Sequence, residues 1–518
     1  SRYYNMTQDE ALAILRTGAH VFLTGEAGSG KTHTINRYTT YLREHGIDFA
    51  VTASTGIAAT HIHGMTIHAW SGVGVERQLD DDAIADIADN RKVAKRIKKA
   101  KVLIIDEISM LDAAVFDLVE RVCRKVRKGH LPFGGLQVVV VGDFFQLPPI
   151  AHEGQSSRFA FESEAWLWLN FKVCYLTEQH RQEDDIFLGL LTAIRRQSWT
   201  ADHQRIIEER LIGEGELPDE MTRLFSHNVD VDRINQGELR KLPSKTYRFI
   251  MAERGPEKLV AALKRGCLSP ESLELKEGAT VMFTKNNPDE GYVNGTLGII
   301  TGFEGSKHFP VVRTHRGDSV TVEPAEWMIA EGDEIFAKIT QLPLRLAWAM
   351  TIHKSQGVSL DAAVMDLSQT FEFGQGYVAL SRVRRLSGIH LIGINAKALM
   401  VHPAVLEVDV SFRQVSEKAG EDLSLLTPEK QRELEKNFIL ICGGKIQAVK
   451  RVEKPVETDL EKRRTEHKNA YRPWTSAEES ELKQCFDRGD RVKDMAERLG
   501  REPGAIRARI KKLGLKEL

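Results

Sequence analysis

Gly25-Glu26-Ala27-Gly28-Ser29-Gly30-Lys31-Thr32 is the stretch from which the rest of the chain is read. It follows the apolar run Val21-Phe22-Leu23 and precedes a stretch of helical composition, Thr32 to Arg43. The spacing G-x-x-x-x-G-K-[ST], set between a strand and a helix, is that of a loop that wraps a phosphate. Glycines at Gly25, Gly28 and Gly30 let backbone N–H groups converge on an anion without Cβ clashes. Lys31 brings a point charge to the β- and γ-phosphates, and the Thr32 hydroxyl is a ligand for Mg²⁺. With Ser29 and His33, these residues predict a binding site for ATP and Mg²⁺.

Other buried-strand signals flank the loop: Phe49-Ala50-Val51-Thr52, Val102-Leu103-Ile104-Ile105 and Val138-Val139-Val140-Val141. Continuous apolar runs of this kind are strands of a parallel sheet covered on both faces. Ligands bind beyond the carboxyl ends of such strands. Asp106 and Glu107 end the second run named, so Asp106 is expected to hold Mg²⁺ and Glu107 to polarise the attacking water. The plainer alternative is an Asp capping a helix that starts at Ile108. Gln146, just past Val138–Val141, is placed to sense a γ-phosphate. Phe144 and Phe145 beside it are expected in the core.

A second α/β region runs from about Phe171 to Ile250 and resumes near Leu342. Between Leu273 and Trp327 the texture changes to short alternating strands with glycine-containing turns, which predicts a small antiparallel barrel inserted in the second domain. Lys445 to Arg472 is charged and poor in aromatic residues, and it reads as a linker. The net charge is −1 and 42% of the 518 residues are hydrophobic, the balance of an ordinary globular chain. The segment Lys445 to Leu518 holds 20 Lys+Arg against 14 Asp+Glu. A basic end on an acidic body points to a nucleic-acid appendage. No apolar run is long enough to span a bilayer, and the polar opening Ser1 to Glu10 does not read as a signal peptide. The five cysteines are scattered, without metal-ligand spacing, so a reducing compartment is expected.

Six further stretches carry a resemblance. They are Val51-Thr-Ala-Ser-Thr-Gly-Ile-Ala-Ala59 with Gly64-Met-Thr-Ile-His68; Leu103-Ile-Ile-Asp-Glu-Ile-Ser-Met110; Pro132-Phe-Gly-Gly-Leu-Gln137 running into Gly142-Asp-Phe-Phe-Gln-Leu-Pro-Pro149; Leu176-Thr-Glu-Gln-His-Arg181; Thr351-Ile-His-Lys-Ser-Gln-Gly357; and Tyr377-Val-Ala-Leu-Ser-Arg382. In this order they resemble the motifs of Pif-type helicases of superfamily 1, over about residues 5 to 400. Tyr292-Val-Asn-Gly-Thr-Leu-Gly298 is similar to that family's inserted SH3-like barrel, and Gln8 falls where its adenine-reading glutamine sits. The resemblance implies an α/β fold with two RecA-like P-loop domains. The first covers 1–170, with a wedge insertion at about 72–96. The second covers 171–272 and 328–444, interrupted by the barrel at 273–327. It also implies an ATP-dependent DNA helicase moving 5′→3′ on single-stranded DNA. Arg181 and Arg382 would reach ATP from the second domain, and Lys31, Glu107 and Gln146 would act from the first. The DNA track would use Thr55, His63, Thr66, His68, His353, Lys354 and Ser355, holding phosphates rather than bases.

The implied partners are single-stranded and forked DNA, with G-quadruplex and R-loop structures left open, and no membrane. The free chain is expected as a monomer. It would reside in the cytoplasm at the nucleoid if bacterial, otherwise in nucleus or mitochondrion. Two rival readings are a RecD-like subunit of a recombination complex and a DNA-binding protein switched by ATP. The signature near Phe133 argues against the first, and the two arginines with the barrel argue against the second.

The last residues, 471–518, read as three short helices. Thr475 or Ser476 precedes Glu478 and Glu479 in a capping pattern. Apolar positions Trp474, Leu482, Phe486, Val492, Met495, Ala496 and Leu499 face inward, with breaks at Gly489 and Gly500. Ile506, Ile510 and Leu513 give a third inward face and leave Arg507 and Arg509 outside. The pattern resembles a Myb/SANT-type helix-turn-helix module, whose third helix enters the DNA major groove. A three-helix protein-docking module is the alternative.

Overall fold

The structure is a computed structural model that describes residues 6–55, 58–59, 65–74, 78–149, 158–177, 184–213, 221–226, 231–287, 290–314, 317–331, 334–352, 355, 359–446, 476–488, 490–501 and 503–513. It divides into two compact units, Ser1–Ile446 and Gln447–Leu518.

The first sheet is built from β1 (Val21–Gly25), β2 (Phe49–Ala53), β3 (Met65–Thr66), β4 (Val102–Asp106), β5 (Gln137–Val141) and β6 (Lys172–Leu176). All six run parallel, in the order β3-β2-β4-β5-β1-β6. Alternate residues feed two separate cores. Phe22, Leu103, Ile105, Val138, Val140 and Tyr175 face one layer; Val21, Leu23, Val102, Ile104, Val139 and Cys174 face the other. This two-sided burial is why these strands read as unbroken apolar runs.

The chain returns to this sheet at its far end. Helix Pro403–Ser424 runs along β6, the edge strand, and the Ser416 hydroxyl accepts the N–H of Tyr175 at 3.0 Å. A sheet edge covered in this way offers no free ladder to another chain. Phe412 of that helix sits among Phe22 at 5.0 Å, Phe161 at 6.0 Å and Trp166 at 6.1 Å between ring centres. Burying such a side chain contributes about 1.5–3 kcal/mol. Helix Pro428–Ile441 then sets Phe438 against Gly18, where a Cβ would collide with the ring. The expected boundaries therefore need two corrections. Strand β6 belongs to the first sheet although it lies beyond 170, and the helices Pro403–Ser424 and Pro428–Ile441 pack on the first domain. The reason is that a parallel edge strand needs a cover, and here it comes from distant sequence.

The remaining strands follow in chain order: β7 (Arg223–Phe225), β8 (Tyr247–Ile250), β9 (Ala252–Arg254), β10 (Ser272–Leu275), β11 (Thr280–Phe283), β12 (Leu297–Glu304), β13 (Phe309–Thr314), β14 (Ser319–Thr321), β15 (Ala325–Glu331), β16 (Glu334–Gln341), β17 (Leu344–Leu346), β18 (Ala349–Thr351), β19 (Ala363–Leu367) and β20 (Ile389–Ile394). The second parallel sheet has the order β18-β7-β19-β20. The insertion is β-rich, as expected, with the antiparallel order β14-β13-β12-β11-β17. Its core joins Val281, Phe283, Ile300, Val312 and Leu344. It extends past the expected end at Trp327, because β17 pairs with β11. Trp327 itself lies on β15, in a separate sheet of order β15-β16-β9 that packs on helix Glu257–Gly266.

The segment expected as a wedge at about 72–96 forms two helices, Asp81–Asp89 and Arg91–Lys99, the second running past the expected end. Asn90 between them caps the second by accepting from Lys92 and Val93 N–H. In the second unit, helices Ser476–Asp487, Val492–Leu499 and Pro503–Lys512 share a core of Leu482, Cys485, Met495, Ala496, Leu499 and Ile506, close to the inward face read from sequence. Gly500 ends the second helix at φ +61°. Trp474, Thr475 and Gly489 lie outside the described residues.

The signature Pro132–Gln137 acts structurally. Phe133 and Gly134 turn at φ +52° and +63°, and Gly134 O accepts Arg127 Nε at 2.8 Å. Gln137 is buried; its amide donates to Leu15 O at 3.0 Å and Ala19 O at 2.7 Å and accepts from Tyr38 OH at 2.5 Å. It thereby ties the helices before and after the phosphate loop to β5. Gln137→Leu leaves the buried Tyr38 hydroxyl and Ala19 O without this partner, while Leu15 O keeps the Gly18 N–H at 3.2 Å, and should cost about 1–3 kcal/mol. The check is a thermal melt; a midpoint within about 2 °C of the parent would remove Gln137 from this role.

Candidate nucleotide site

Strand β1 delivers the loop at Gly25, and Gly28 and Gly30 hold it in the left-handed region at φ +88° and +89°. Helix Lys31–Glu44 starts directly after, so its first N–H groups and positive end face the loop. Ser29 is fully buried and its hydroxyl has no hydrogen-bond partner among the described residues. Lys31 Nζ donates to Gly25 O at 2.8 Å and Glu26 O at 3.0 Å. Thr32 and His33 are exposed at the helix start. Gln8 reaches the same place: a Cβ on Gly30 would collide with its side-chain amide. The cause is local, since Thr7 and Glu10 cap helix Gln8–Arg16 reciprocally and fix its first turn.

Asp106 closes β4 and accepts the Glu107 N–H at 2.8 Å. Burial lifts its carboxyl above the usual carboxylate range, while the Glu107 N–H and Lys31 pull the other way. Glu107 adopts φ +53°, strained for a residue with a Cβ. The contacts that hold it are Ser54 Oγ donating to Glu107 O at 2.6 Å and Ser54 N donating to Asp106 O at 3.1 Å. A backbone held against its preference beside the loop suits a residue whose carboxylate must be aimed. The plain cap alternative does not apply, because Ile108–Met110 is only a three-residue 3₁₀ turn with no side-chain cap. Gln146 is buried beyond β5, and Phe144 and Phe145 lie in the core as expected.

A residue that the sequence reading missed organises this edge. Arg195 is 2% exposed. Its Nη1 donates to Asp143 Oδ2 at 2.5 Å and to Tyr377 OH at 3.1 Å, and its Nη2 donates to Tyr175 OH at 2.7 Å. The guanidinium lies over the Phe145 ring at 4.1 Å, and Nε faces Glu26 of the loop at 3.8 Å without a hydrogen bond among the described residues. Burial alone would lower its pKa, but Asp143 and its other partners hold it well above the ordinary value. Tyr175 OH also donates to Asp409 at 2.9 Å, and Arg413 donates to both. Ile194-Arg195-Arg196 reads as charge at a helix end. The available signal was the spacing Phe187, Leu191, Arg195, which puts this arginine on the buried stripe.

The second domain meets the site at Gly374, where a Cβ would come within 2.5 Å of Gln146 O and 2.6 Å of Phe145 O. Helix Gln375–Leu380 follows, with Arg382 just beyond it. Arg382 is 1% exposed; its guanidinium donates to Val378 O at 2.9 Å and Ser381 Oγ at 2.9 Å. It is thus near the domain junction but engaged by its own helix. Arg181, His63, His353 and Lys354 lie outside the described residues. Thr55 and Thr66 sit at turn and helix starts, accepting from Ala58 and Ala69 N–H, and His68 is half-buried. Ser355 is a correction: it is fully buried and its hydroxyl donates to Ile352 O at 2.7 Å, so it does not face a DNA track. In the second unit Arg507 is exposed as expected, whereas Arg509 is ion-paired with Glu479, an acidic residue of the first helix turned towards it.

The chain matches the family model for PIF1-like helicases over residues 5–204 and that for the DNA helicase Pif1 2B domain over 258–303. It is 41% identical over 498 residues to the ATP-dependent DNA helicase Pif1 of a Psychrobacter species, covering 85% of this chain and 75% of that one. Among solved structures it is similar to Pif1 from a Bacteroides species in complex with ADP-AlF4, with a TM-score of 0.70 and 30% identity, covering 79% of this chain and 97% of that one. The Bacteroides helicase in complex with ADP-AlF3 and single-stranded DNA matches at a TM-score of 0.55 and 29% identity, with coverage of 79% and 97%. The phosphate loop, the paired carboxylates beyond β4, the two parallel sheets and these matches together make the chain a member of the Pif1-like helicase family.

Proposed function

We propose that this chain is an ATP-dependent DNA helicase that moves 5′→3′ on single-stranded DNA and opens duplex or forked DNA. The observation that carries this is the junction at Gly374. The segment leading to Arg382 packs on the backbone of Gln146, at the same sheet edge as the phosphate loop. ATP held there lies where two domains meet, so hydrolysis and domain closure are linked.

The loop residues fit a nucleoside triphosphate with Mg²⁺. Gly28 and Gly30 take the left-handed φ that curls the loop's backbone N–H groups towards an anion, and the buried Ser29 hydroxyl has hydrogen-bonding capacity to spare towards the loop. Lys31 neutralises phosphate charge, Thr32 and Asp106 hold the metal, and Gln8 contacts the base. Glu107 orients the attacking water and Gln146 senses the γ-phosphate. Arg382, once it exchanges its helix carbonyl, and Arg181 stabilise charge in the transition state. Thr55, Thr66 and His68 of the first domain, with His63, His353 and Lys354, hold the phosphates of the strand. The second unit binds duplex DNA through its third helix, with Arg507 leading, and acts as a tether that raises local concentration.

Lys31→Ala should abolish ATP hydrolysis while single-stranded DNA binding, read by fluorescence anisotropy, persists. Near-normal hydrolysis would show that the loop is not the nucleotide site. Arg382→Ala should lower kcat by roughly 10³-fold, the scale of arginine fingers, with a much smaller change in ATP affinity. An unchanged DNA-stimulated kcat would take Arg382 out of the mechanism.

Truncation after Ile446 removes only the second unit and should leave DNA-stimulated hydrolysis nearly intact. Affinity for duplex or forked DNA should fall, with a shallower salt dependence. Arg507→Ala in the full chain should do the same in part. If duplex affinity and its salt slope do not move in either variant, the module docks on something other than DNA.

A further inference from the structure

Arg195 touches more parts of the molecule than packing alone requires. Through Glu26 it faces the phosphate loop, and through Asp143 it holds the loop that leads to Gln146. Through Tyr377 it reaches the helix that precedes Arg382, and through Tyr175 it connects to Asp409 and Arg413 on helix Pro403–Ser424. Arg195 and Asp143 are each 1% exposed at the side chain.

The guanidinium is planar, so its contacts are not independent. Nη1 is shared between Asp143 and Tyr377, and a rotation that favours one weakens the other. Nε is buried without a hydrogen bond among the described residues and lies 3.8 Å from the Glu26 carboxylate, an ion-pair distance that a shift of under about 1 Å would turn into a hydrogen bond. Glu26 in turn touches Lys31, whose Nζ donates to its carbonyl. One residue therefore meets the phosphate-binding lysine on its backbone side and Arg195 on its side-chain side. A rearrangement of Lys31 is felt at Glu26 and can close or open the Nε contact. Movement of the guanidinium is then felt by the Tyr377 hydroxyl.

We propose that Arg195 is a positioning residue that couples the phosphate loop to the helix bearing Tyr377 and leading to Arg382, so that the state of the loop sets how the arginine of the second domain is presented. The proposal rests on the ATP-driven reading above and adds a route for regulation within that site. Arg195 does not touch the reacting atoms. It acts through Glu26 on one side and Tyr377 on the other, and its charge is held in place by Asp143.

The test is steady-state ATP hydrolysis by the full chain, with and without single-stranded DNA, for the parent, Arg195→Lys, Glu26→Gln, Tyr377→Phe and the combined variants. Arg195→Lys keeps a charge for Asp143 but loses the planar fork. It should lower DNA-stimulated kcat roughly tenfold or more while KM for ATP changes by less than about threefold. Tyr377→Phe deletes one hydroxyl and no packing, so it guards against a folding failure of the arginine variant. It should lower the same kcat in the same direction. Glu26→Gln and Tyr377→Phe should be non-additive in the parent chain and additive once Arg195→Lys is also present. Additive effects in both backgrounds, or an unchanged kcat in Tyr377→Phe, overturn the coupling. A parent chain whose hydrolysis does not respond to single-stranded DNA overturns the helicase reading instead, and the coupling with it.

Discussion

The parallel placement of β1 between β5 and β6 is the constraint on which the rest depends. Register pairs Leu23 with Val141 on one side and with Cys174 on the other, so all three strands end at one edge. That edge receives Glu26, Asp106, Glu107 and Asp143 in a small space. Asp143 is buried and Glu26, Asp106 and Glu107 are half-buried, and carboxylates desolvated to this degree at one edge repel unless cations are built in beside them. Lys31 and Arg195 are those cations. Lys31 acts on Asp106 through space, and Arg195 takes Asp143 directly. The acidic residues of this edge are thus tolerated because the same fold supplies fixed positive charge.

Most of the site was legible because its signals are local. The phosphate loop is a run of eight residues whose spacing has one physical explanation, and Val102–Ile105 of β4 and Val138–Val141 of β5 are apolar without interruption. The three-helix pattern of the last unit was readable from apolar spacing alone, because its core is made by its own helices. What could not be read depends on distant sequence. Nothing near Phe412 indicates that it packs on Phe22, and nothing near Ser416 indicates that it accepts from β6. Arg509 was assigned outward by periodicity, yet its partner Glu479 lies thirty residues away in a different helix. Ser355 sits in a motif-like stretch whose composition suggests phosphate contact, but burial turned its hydroxyl to a main-chain carbonyl. Arg195 was the instructive miss: the stripe Phe187, Leu191, Arg195 was available, and an arginine on a buried stripe is itself a signal.

A buried ion cluster is weak evidence for stability, since apolar residues of like volume can do as well. What Arg195, Asp143, Tyr175 and Tyr377 provide is geometry. Each hydrogen bond fixes a direction, and the cation over Phe145 fixes a plane. An apolar cluster at the same place would let the helix beyond Gly374 slide. A directional one gives it a small number of allowed positions.

The glycines at that helix restrict it further. Gly374 meets the carbonyls of Phe145 and Gln146, and a Cβ on Gly376 would collide with Ala398 O. Backbone therefore packs on backbone at both ends of the first turn, with no flexible side chain between to absorb a shift. A contact of this kind is either made or broken, because close-packed interiors deform little before they repack. Gln146, the helix leading to Arg382 and the Arg195 guanidinium that bonds Tyr377 of that helix are consequently packed in one arrangement. A change at the loop large enough to matter must move them together, which is the property a motor needs to convert hydrolysis into a step.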